Sequence, residues 1–553
     1  MTKVNFTRPT FINRMFSIII VAILVLKSVA IQANDMSELS PFELKDELIK
    51  AAGSGPILNA GRGNPNFLSI TPRHAFWQLG LFAMSESERT ASLLPDAVGG
   101  FPEHAGIEDR FKIFINENSN VPGVSFLSDA VSFVRDQLSL NVNDFLYEMC
   151  EAILGINYPV PPRMLTSSEK IVAHYIRSEM IGTHLFEGDF DVFAVEGGTA
   201  AMTYIFNTMR ENFIIKQGDT IALGSPIFTP YIEIPQLNDY QLNVINLIAD
   251  PTNGWQYSKQ ELDKLRDPNV KAFFLVNPSN PPSVKMDMES LNYIAEIVKE
   301  RPDLIILTDD VYGTFADDFV SLFALCPQNT ILVYSFSKYF GSTGWRLGVV
   351  ATHQNNILDE KLANLSTEHK AQLHERYKSI TTEPDKLKFI DRLVADSRTV
   401  ALNHTAGLST PQQVQMVLFS LYSLMDTNET YKMALKHLIR SRKQALYNEL
   451  GIVPENNENM VDYYAILSIE YLLEQEHGMD LVNWIYENTD PSEILFRLAR
   501  EEKVVLLPGQ GFGTINPSWR VSLANLNEAD YVQIGRAIRK IINEYIELYK
   551  REK

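Results

Sequence analysis

One stretch of the sequence combines a lysine with residue types that bind anions. Lys338 lies within residues 334–348, a segment rich in serine, threonine and glycine, and Arg346 follows eight positions later. A lysine can form a Schiff base with an aldehyde when burial or a neighbouring cation depresses its pKa. Arginine can bind a phosphate through two parallel hydrogen bonds. The segment therefore favours a ligand with an aldehyde beside a phosphate, although such a lysine taken alone is more often an exposed loop residue.

Polar side chains also follow two of the predicted strands. Asp309 and Tyr312 come after a strand predicted over residues 304–308, and Asn280 comes after one predicted over residues 272–276. Ligands of α/β sheets bind at the carboxyl ends of the strands. A carboxylate there can keep a pyridine nitrogen protonated, and a phenol or an amide can hydrogen-bond a ring oxygen. Each signal is weak alone, because an aspartate at a strand end is often only a helix cap.

A glycine-rich turn supplies another part of the pattern. Gly197, Gly198 and Thr199 follow a strand predicted over residues 191–195 and begin a helix. The free backbone N–H groups at a helix N-terminus can bind phosphate. Two glycines before a threonine often form only a turn. Four such segments in order along one α/β unit nevertheless predict a single binding site.

The elements that must position these residues alternate between short apolar strands and helices. Such alternation predicts an α/β fold whose mostly parallel, seven-stranded sheet is flanked by helices. Helical patterns cover residues 167–182, 291–300 and 431–450, and a charged helical stretch covers residues 359–398. A last helix is predicted from its cap, Asn527, to about residue 550. The predicted strands are residues 191–195, 220–223, 244–248, 272–276, 304–308, 331–334 and 347–351.

Composition excludes several classes of protein. The 553 residues carry a formal net charge of −19, which argues against a nucleic-acid partner because such proteins normally present a basic surface. Two cysteines cannot form a disulfide framework or a cysteine-rich metal site. The ten histidines show no ligand spacing with cysteines or carboxylates. We therefore expect no metal centre, and a site that supplies its own positive charge.

The first 33 residues differ from the rest of the chain. No acidic residue precedes Asp35, whereas four basic residues do. The apolar run at residues 15–26 is too short to span about 30 Å of hydrocarbon, but it suits a secretory signal, and residues 28–30 fit a small-x-small cleavage site. We expect a signal peptide over residues 1–33 and a periplasmic or secreted protein. The alternatives are an uncleaved membrane anchor or a cytoplasmic protein with a misassigned start.

Together, these motifs resemble fold-type-I pyridoxal-phosphate enzymes of the aspartate aminotransferase class, over about residues 59–525. The resemblance implies a large domain that binds pyridoxal 5′-phosphate and a smaller α+β domain built from both ends of the chain. It divides the chain into residues 34–95 and 426–553 for the small domain and residues 96–425 for the large domain, with a helical insertion at about 359–398.

The resemblance also implies a role for each candidate residue. Lys338 would be the catalytic lysine, which binds the cofactor covalently and moves the substrate's Cα proton. Arg520, in Ser518-Trp-Arg-Val-Ser522, would bind the substrate α-carboxylate. Tyr158 would reach the cofactor phosphate of a neighbouring subunit in a homodimer. The other cofactor-binding residues would be Asp309 at the pyridine nitrogen, Tyr312 and Asn280 at the ring oxygen, Phe228 stacked on the ring, and Gly197, Gly198, Thr199, Ser335, Ser337 and Arg346 around the phosphate.

Extra length and extra motifs point to one branch of this class. The chain is longer than ordinary aminotransferases, mainly in residues 73–160 and 359–398, and it resembles aspartate 4-decarboxylase. That family converts L-aspartate to L-alanine and CO2, transaminates with 2-oxo acids as a side activity, and forms large homo-oligomers, a dodecamer among them. Arg62, beside Gly63, would bind the distal carboxylate of the substrate or would only brace a tight turn. The motifs that carry this resemblance are residues 61–65, 100–106 and 403–413.

Two alternative functions remain open. One is an aminotransferase that acts on aspartate or another amino acid without releasing CO2, which the products formed from L-aspartate would reveal. The other is a non-catalytic binding protein that keeps the fold and lacks the absorption band of a cofactor–lysine linkage. The complete set of candidate residues argues against the second alternative.

Overall fold

The computed structural model describes residues 39–91, 98–398, 407–454, 457–514 and 517–553. The predicted signal peptide, residues 1–33, and residues 403–406 of the motif at 403–413 lie outside these ranges. Within the described ranges, no helix combines the length and apolar character needed to cross a membrane. The same ranges contain no group of three or more histidine, cysteine, aspartate or glutamate side chains arranged to hold a metal ion.

The described residues form thirteen strands in three sheets. The strands are β1 (Leu58–Asn59), β2 (Phe190–Val195), β3 (Thr220–Ser225), β4 (Asn243–Asp250), β5 (Gln256–Tyr257), β6 (Val270–Val276), β7 (Ile305–Asp309), β8 (Thr330–Ser335), β9 (Gly348–His353), β10 (Tyr464–Ser468), β11 (Val504–Val505), β12 (Leu507–Pro508) and β13 (Ser518–Ser522). The central sheet has the order β2-β9-β8-β7-β6-β3-β4-β5. Its strands run in one direction except β5 and β9, which are antiparallel to their neighbours.

The central strands are apolar and buried, as expected for a parallel sheet whose two faces are covered. The α/β prediction is confirmed, and each of the seven predicted strands lies within two residues of its predicted bounds. The strand count was one too low, because β5 adds an eighth strand at the edge beside β4. With two residues, β5 is too short to show an alternating pattern in the sequence.

The register of the sheet aligns the ends of three central strands. Val276 at the end of β6 lies opposite Asp309 in β7, and Asp309 lies opposite Val333 in β8. The loops that follow β7 and β8 begin near the same edge, and they carry Tyr312 and Lys338. This register brings together segments that are far apart in the sequence.

Helices connect the strands and form the outer layers of the fold. The helix predicted over residues 167–182 is α-helical over Thr166–Ile176 and continues as a π-helical turn, Arg177–Ile181. The final helix, Glu528–Glu552, starts at its predicted cap, where the Asn527 N–H donates to the Asp530 carboxylate at 2.8 Å. The remaining helices of eight or more residues are Pro41–Ala52, Thr71–Thr90, Ile107–Glu117, Val124–Asp136, Val142–Leu154, Gly198–Glu211, Met288–Glu300, Thr367–Tyr377, Phe389–Asp396, Thr410–Met425, Thr430–Leu450, Ile469–His477, Met479–Asn488 and Pro491–Glu502.

Both ends of the described chain meet in a smaller α+β unit. Strands β10, β13 and β12 form an antiparallel sheet with β13 in the middle, and β1 pairs in parallel with β11. Within β13, Arg520 lies opposite Ile466 of β10 and Leu507 of β12. Pairing on both sides fixes the backbone that carries the Arg520 side chain.

A second apolar core lies among helices outside the central sheet. Phe82 and Phe111 meet edge to face inside it, with ring centroids 5.1 Å apart. The predicted boundary at residue 95 assigns the helix Thr71–Thr90 to the small domain, yet this helix packs into the helical core. The predicted domain limits stay predictions. The core is built by the helices Thr71–Thr90, Ile107–Glu117, Val124–Asp136, Val142–Leu154 and Thr410–Met425.

Candidate active site

Lys338 is half-buried in the loop that follows β8. Its Nζ donates a hydrogen bond to the carbonyl oxygen of Gly63 at 2.9 Å. Burial lowers the pKa of the Lys338 ammonium group, and the guanidinium groups of Arg520 and Arg346 lower it further. The Tyr464 hydroxyl and the Asp309 carboxylate raise this pKa and only partly offset the decrease. A lysine with a lowered pKa spends more time as the neutral amine, which is the form that attacks a carbonyl or accepts a proton.

Asp309 ends β7 inside the same region. Its carboxylate accepts a hydrogen bond from the Tyr231 hydroxyl at 3.2 Å and one from the Val311 N–H at 3.4 Å. Burial raises the pKa of Asp309 to about 6, although these two hydrogen bonds and Lys338 oppose the shift. A buried carboxylate of this kind binds a protonated ring nitrogen strongly, because the charge pair is shielded from water.

The serine residues around Lys338 form a small polar cluster. Ser335 Oγ and Ser337 Oγ are 3.0 Å apart, and Ser335 Oγ also donates to the Leu347 carbonyl at 3.2 Å. Gly198 and Thr199 face the same cavity at the start of the helix Gly198–Glu211. Hydroxyls and free helix N–H groups together provide donors for an anion.

Arg346 completes this anion-binding end. Its Nη1 donates to the Thr343 carbonyl at 2.8 Å and its Nη2 to the Glu196 carbonyl at 3.1 Å. Within the described residues it forms no ion pair, so its positive charge remains available to a phosphate. A Cβ atom at Gly197 would lie 2.5 Å from Arg346 Nη2, and Gly197 has φ +86°. The turn therefore requires glycine at this position.

Arg520 lies at the face of the cavity formed by the small unit. It is 2% exposed, and its guanidinium group lies between the rings of Tyr464 and Phe512, 4.3 and 4.6 Å from their centroids. Its Nη2 donates to the Gly61 carbonyl at 2.9 Å and its Nη1 to Asn280 Oδ1 at 3.2 Å. Its Nε has no partner among the described residues. A buried guanidinium group with an unused donor suits a carboxylate ligand.

These groups surround one cavity of about 200 Å³. The structure brings most of the predicted site residues to it, and it adds Val276, Val311, Thr343 and Tyr464 to the lining. The predicted residues in the lining are Gly63, Gly198, Thr199, Phe228, Asn280, Asp309, Tyr312, Ser335, Ser337, Lys338, Arg346 and Arg520.

Three predicted residues lie outside the lining. Gly197 does not line the cavity, but its lack of a side chain leaves room for Arg346. Tyr158 is 79% exposed, away from this cavity. Arg62 is also exposed and forms no hydrogen bond or ion pair within the described chain, so the bracing interpretation gains no support. The turn is instead held by the Gly61 N–H, which donates to Asn59 Oδ1 at 3.0 Å.

Three tyrosines that contact the site residues, Tyr231, Tyr463 and Tyr464, were not among the predicted residues. The hydroxyls of Tyr464 and Tyr312 are 2.9 Å apart, Tyr463 donates to the Gly63 carbonyl at 2.8 Å, and Tyr231 holds Asp309. Tyr231 lies three residues after Phe228, which is predicted to stack on the cofactor ring. Tyr464 begins β10, and Tyr463 directly precedes it. The sequence does not show that β10 pairs with β13, so it does not indicate that these two tyrosines reach the site.

Replacing Gly63 by alanine is expected to lower kcat by about 10- to 100-fold without unfolding the protein, because misplacing reacting groups by about 1 Å has effects of this size. The added Cβ would lie 2.5 Å from the Tyr464 hydroxyl and 3.1 Å from Lys338 Nζ. Steady-state kinetics and thermal unfolding measure the two effects. Gly344→Ala is the matched control, since a Cβ there meets nothing within 4 Å. Equal kcat values for the two variants would contradict the prediction.

Comparison with known proteins identifies the family. The family model described as aminotransferase class I and II matches residues 135–538. The chain belongs to this family.

Individual relatives agree with that assignment. The chain is 58% identical over 521 residues to the bifunctional aspartate aminotransferase and L-aspartate beta-decarboxylase of a Pseudomonas species, covering 94% of this chain and 98% of that protein. It is 25% identical over 363 residues to an aspartate aminotransferase of Streptomyces avermitilis, covering 64% and 74% of the two chains. The solved aspartate aminotransferase of Rhizobium meliloti matches with a TM-score of 0.56 at 15% identity, over 91% of this chain and 95% of that one. This last likeness shows the shared fold.

Class I and II aminotransferases use pyridoxal 5′-phosphate, and the cavity of this family member fits that cofactor. Lys338 would hold its aldehyde carbon and Asp309 its ring nitrogen. The serines, the helix N-terminus and Arg346 would hold its phosphate. The glycine at 197 leaves the space that Arg346 needs, and a methyl group there would fill it. The predicted cofactor is therefore confirmed at the level of the family, while the roles of single residues stay predictions.

Proposed function

We propose that this enzyme converts L-aspartate to L-alanine and CO2, with transamination of aspartate as a side reaction. The observation that carries the proposal is that Lys338 Nζ and Arg520 contact the same short turn. They donate hydrogen bonds to the carbonyls of Gly63 and Gly61, respectively. A substrate held by its α-carboxylate on Arg520 would present its Cα to Lys338. The 58% identity to the Pseudomonas enzyme supports the choice of substrate and products.

The reaction removes one carboxylate and adds one proton, since L-aspartate and a proton give L-alanine and CO2. Bound pyridoxal phosphate supplies an electron sink for cleaving bonds at the amino acid carbons. Asp309 keeps the ring nitrogen protonated, and Tyr312 hydrogen-bonds the ring oxygen. Lys338 takes the Cα proton and returns it, while the bond between Cβ and the distal carboxylate breaks and Cβ takes up the one proton that the overall reaction consumes. Arg520 orients the substrate through its α-carboxylate.

Product analysis tests the proposal directly. The holoenzyme is supplied with L-aspartate, with and without a 2-oxo acid, and CO2, alanine and oxaloacetate are measured together. We expect alanine and CO2 in equal amounts and oxaloacetate as the minor product. Oxaloacetate without CO2 would identify an aminotransferase that does not decarboxylate. This second candidate is favoured by one observation, the absence of a third arginine from the described cavity lining besides Arg346 and Arg520.

Arg62 remains our candidate for the distal carboxylate. It neighbours Gly63 at the cavity, and its exposed guanidinium group, which has no partner among the described residues, is free to turn toward a ligand. We expect Arg62→Ala to raise KM for L-aspartate by about tenfold, the effect of losing a charged hydrogen bond, and to change the ratio of alanine to oxaloacetate. The neighbouring exposed Asn64→Ala is the control and should change neither. An unchanged KM and product ratio in Arg62→Ala would retire this role.

We also propose that the enzyme works as a homodimer that builds a larger homo-oligomer, a dodecamer being one option. The exposure of Tyr158 supports this proposal, because a tyrosine that serves a neighbouring subunit must project from its own. Light scattering of the purified protein measures the assembly size. A monomer with full activity would contradict it.

Export is a separate proposal that depends on residues 1–33. The basic leader, the short apolar run and the small residues after it support a cleaved signal peptide. N-terminal sequencing of the mature protein from fractionated cells tests it. An intact Met1 on a cytoplasmic protein would overturn it.

A further inference from the structure

An acidic residue adjoins the turn that is predicted to bind the phosphate. Glu196 directly precedes the turn of Gly197, Gly198 and Thr199. Pyridoxal phosphate is anionic at this end, so an unpaired carboxylate would oppose its binding by charge repulsion. The site therefore needs a cation that neutralises Glu196 without competing for the cofactor.

Arg398 supplies that cation. Its Nη2 lies 2.6 Å from Glu196 Oε1, and its Nη1 donates to the Tyr204 hydroxyl at 2.7 Å. The Tyr204 hydroxyl donates in turn to Glu196 Oε2 at 3.0 Å. Both carboxylate oxygens are thus held, and the side chain is fixed in one orientation.

The same residue also holds Arg346. The backbone carbonyl of Glu196 accepts from Arg346 Nη2 at 3.1 Å, while its side chain pairs with Arg398. A movement of Glu196 would therefore shift the arginine that faces the phosphate. Gly197 can offer no side-chain contact to compensate, because it must leave room for Arg346.

Arg398 is positioned by the insertion at residues 359–398. The Asp396 carboxylate accepts from the Tyr377 hydroxyl at 2.6 Å and from Arg376 at 2.8 Å. Asn212, at the end of the helix that starts with Gly198, donates to Asp396 at 3.2 Å. The insertion is thereby fastened to both ends of this helix, by Asp396 at one end and Arg398 at the other.

We propose that Arg398 is a positioning residue for the cofactor phosphate, which neutralises Glu196 and keeps the phosphate-binding turn and Arg346 in place. This gives the insertion a function in cofactor binding. The role depends on the family cofactor alone, so it stands or falls independently of whether aspartate is decarboxylated.

The test measures cofactor affinity rather than turnover. Apoenzyme is titrated with pyridoxal 5′-phosphate and binding is followed by absorbance and protein fluorescence. We expect Arg398→Ala to weaken binding by about tenfold or more, the scale of losing a charged hydrogen bond. Glu196→Gln in the Arg398→Ala background should recover most of the affinity, because the unpaired charge is then gone. Arg398→Lys should retain an intermediate affinity.

Controls separate this role from general stability. Arg163→Ala removes another half-buried arginine, which pairs with Glu169 and approaches Asp391 of the insertion, and it should leave cofactor affinity unchanged. Thermal unfolding of each apoenzyme checks that the variants fold. Failure of Glu196→Gln to restore affinity, or equal losses in Arg163→Ala and Arg398→Ala, would overturn the proposal.

Discussion

Lys338→Ala is expected to lower both alanine formation and transamination by a factor of about 10³ or more, the range that loss of a positioned acid–base group produces. Lys338 lies in the lining of the cavity, and its lowered pKa keeps it reactive. No other lysine lines the cavity in the described chain, so none can replace it. Stopped product assays with L-aspartate give the rate.

Spectroscopy distinguishes loss of the reactive amine from loss of the site. Holoenzyme should show an absorption band of the cofactor–lysine linkage that borohydride removes, and Lys338→Ala should bind the cofactor without that band. Because the substitution removes only the side chain that donates to Gly63, the fold should be retained. Added small primary amines should restore part of the rate. A variant that kept the band, or a tenth of the wild-type rate, would show that another group is the nucleophile.

Much of this site could be predicted because its parts are local. Asp309, Lys338 and the glycine turn each follow a strand within a few residues, and parallel strands bring their ends to one edge. Short motifs of this kind can be recognised directly in the sequence. The sequence therefore predicted which residues meet at this end of the cavity, while their roles toward the cofactor stay predictions.

The substrate end was less accessible to sequence reasoning. Tyr464 reaches the cavity because β10 pairs with β13. These strands are separated by about fifty residues, which include three α-helices, two short strands and one 3-10 helix. Arg62 was predicted from its position between two glycines, but a side chain's direction in an irregular turn depends on tertiary contacts. Likewise, the helix Thr71–Thr90 joined the helical core because its apolar face fits there, which no local pattern indicates.

Asp309→Asn is expected to have the second-largest effect, a loss of about 10² to 10⁴ in kcat, because the neutral amide cannot hold the ring nitrogen protonated. The wild-type carboxylate is buried at the end of β7 and is held by Tyr231. Kinetics at saturating cofactor measure the loss. The neighbouring Asp310→Asn is the matched control, since Asp310 is equally buried but lies outside the cavity lining, and it should keep most of the activity.

The same substitution should make the apoenzyme more stable. Burial raises the pKa of Asp309 to about 6, so the folded state binds a proton that the unfolded state, with a pKa near 4, has lost. The contribution of Asp309 to the free energy of unfolding is therefore most favourable below about pH 4 and falls as the pH rises to about 6. A shift of two units corresponds to roughly 3 kcal/mol, so Asp309→Asn should gain up to about that much above pH 6 and little at pH 4. Urea unfolding of the apoenzymes across this range measures it.

Cofactor binding should reverse the order of stability of wild type and Asp309→Asn. The unfavourable burial of the Asp309 charge is offset once a protonated ring nitrogen pairs with it, so pyridoxal phosphate should raise the melting temperature of wild type more than that of Asp309→Asn. A carboxylate that destabilises the apoenzyme would thus be retained because it acts on the bound ring. Equal cofactor-induced shifts in the two proteins would mean that Asp309 does not contact the ring nitrogen. In that case the decrease in kcat would require another explanation.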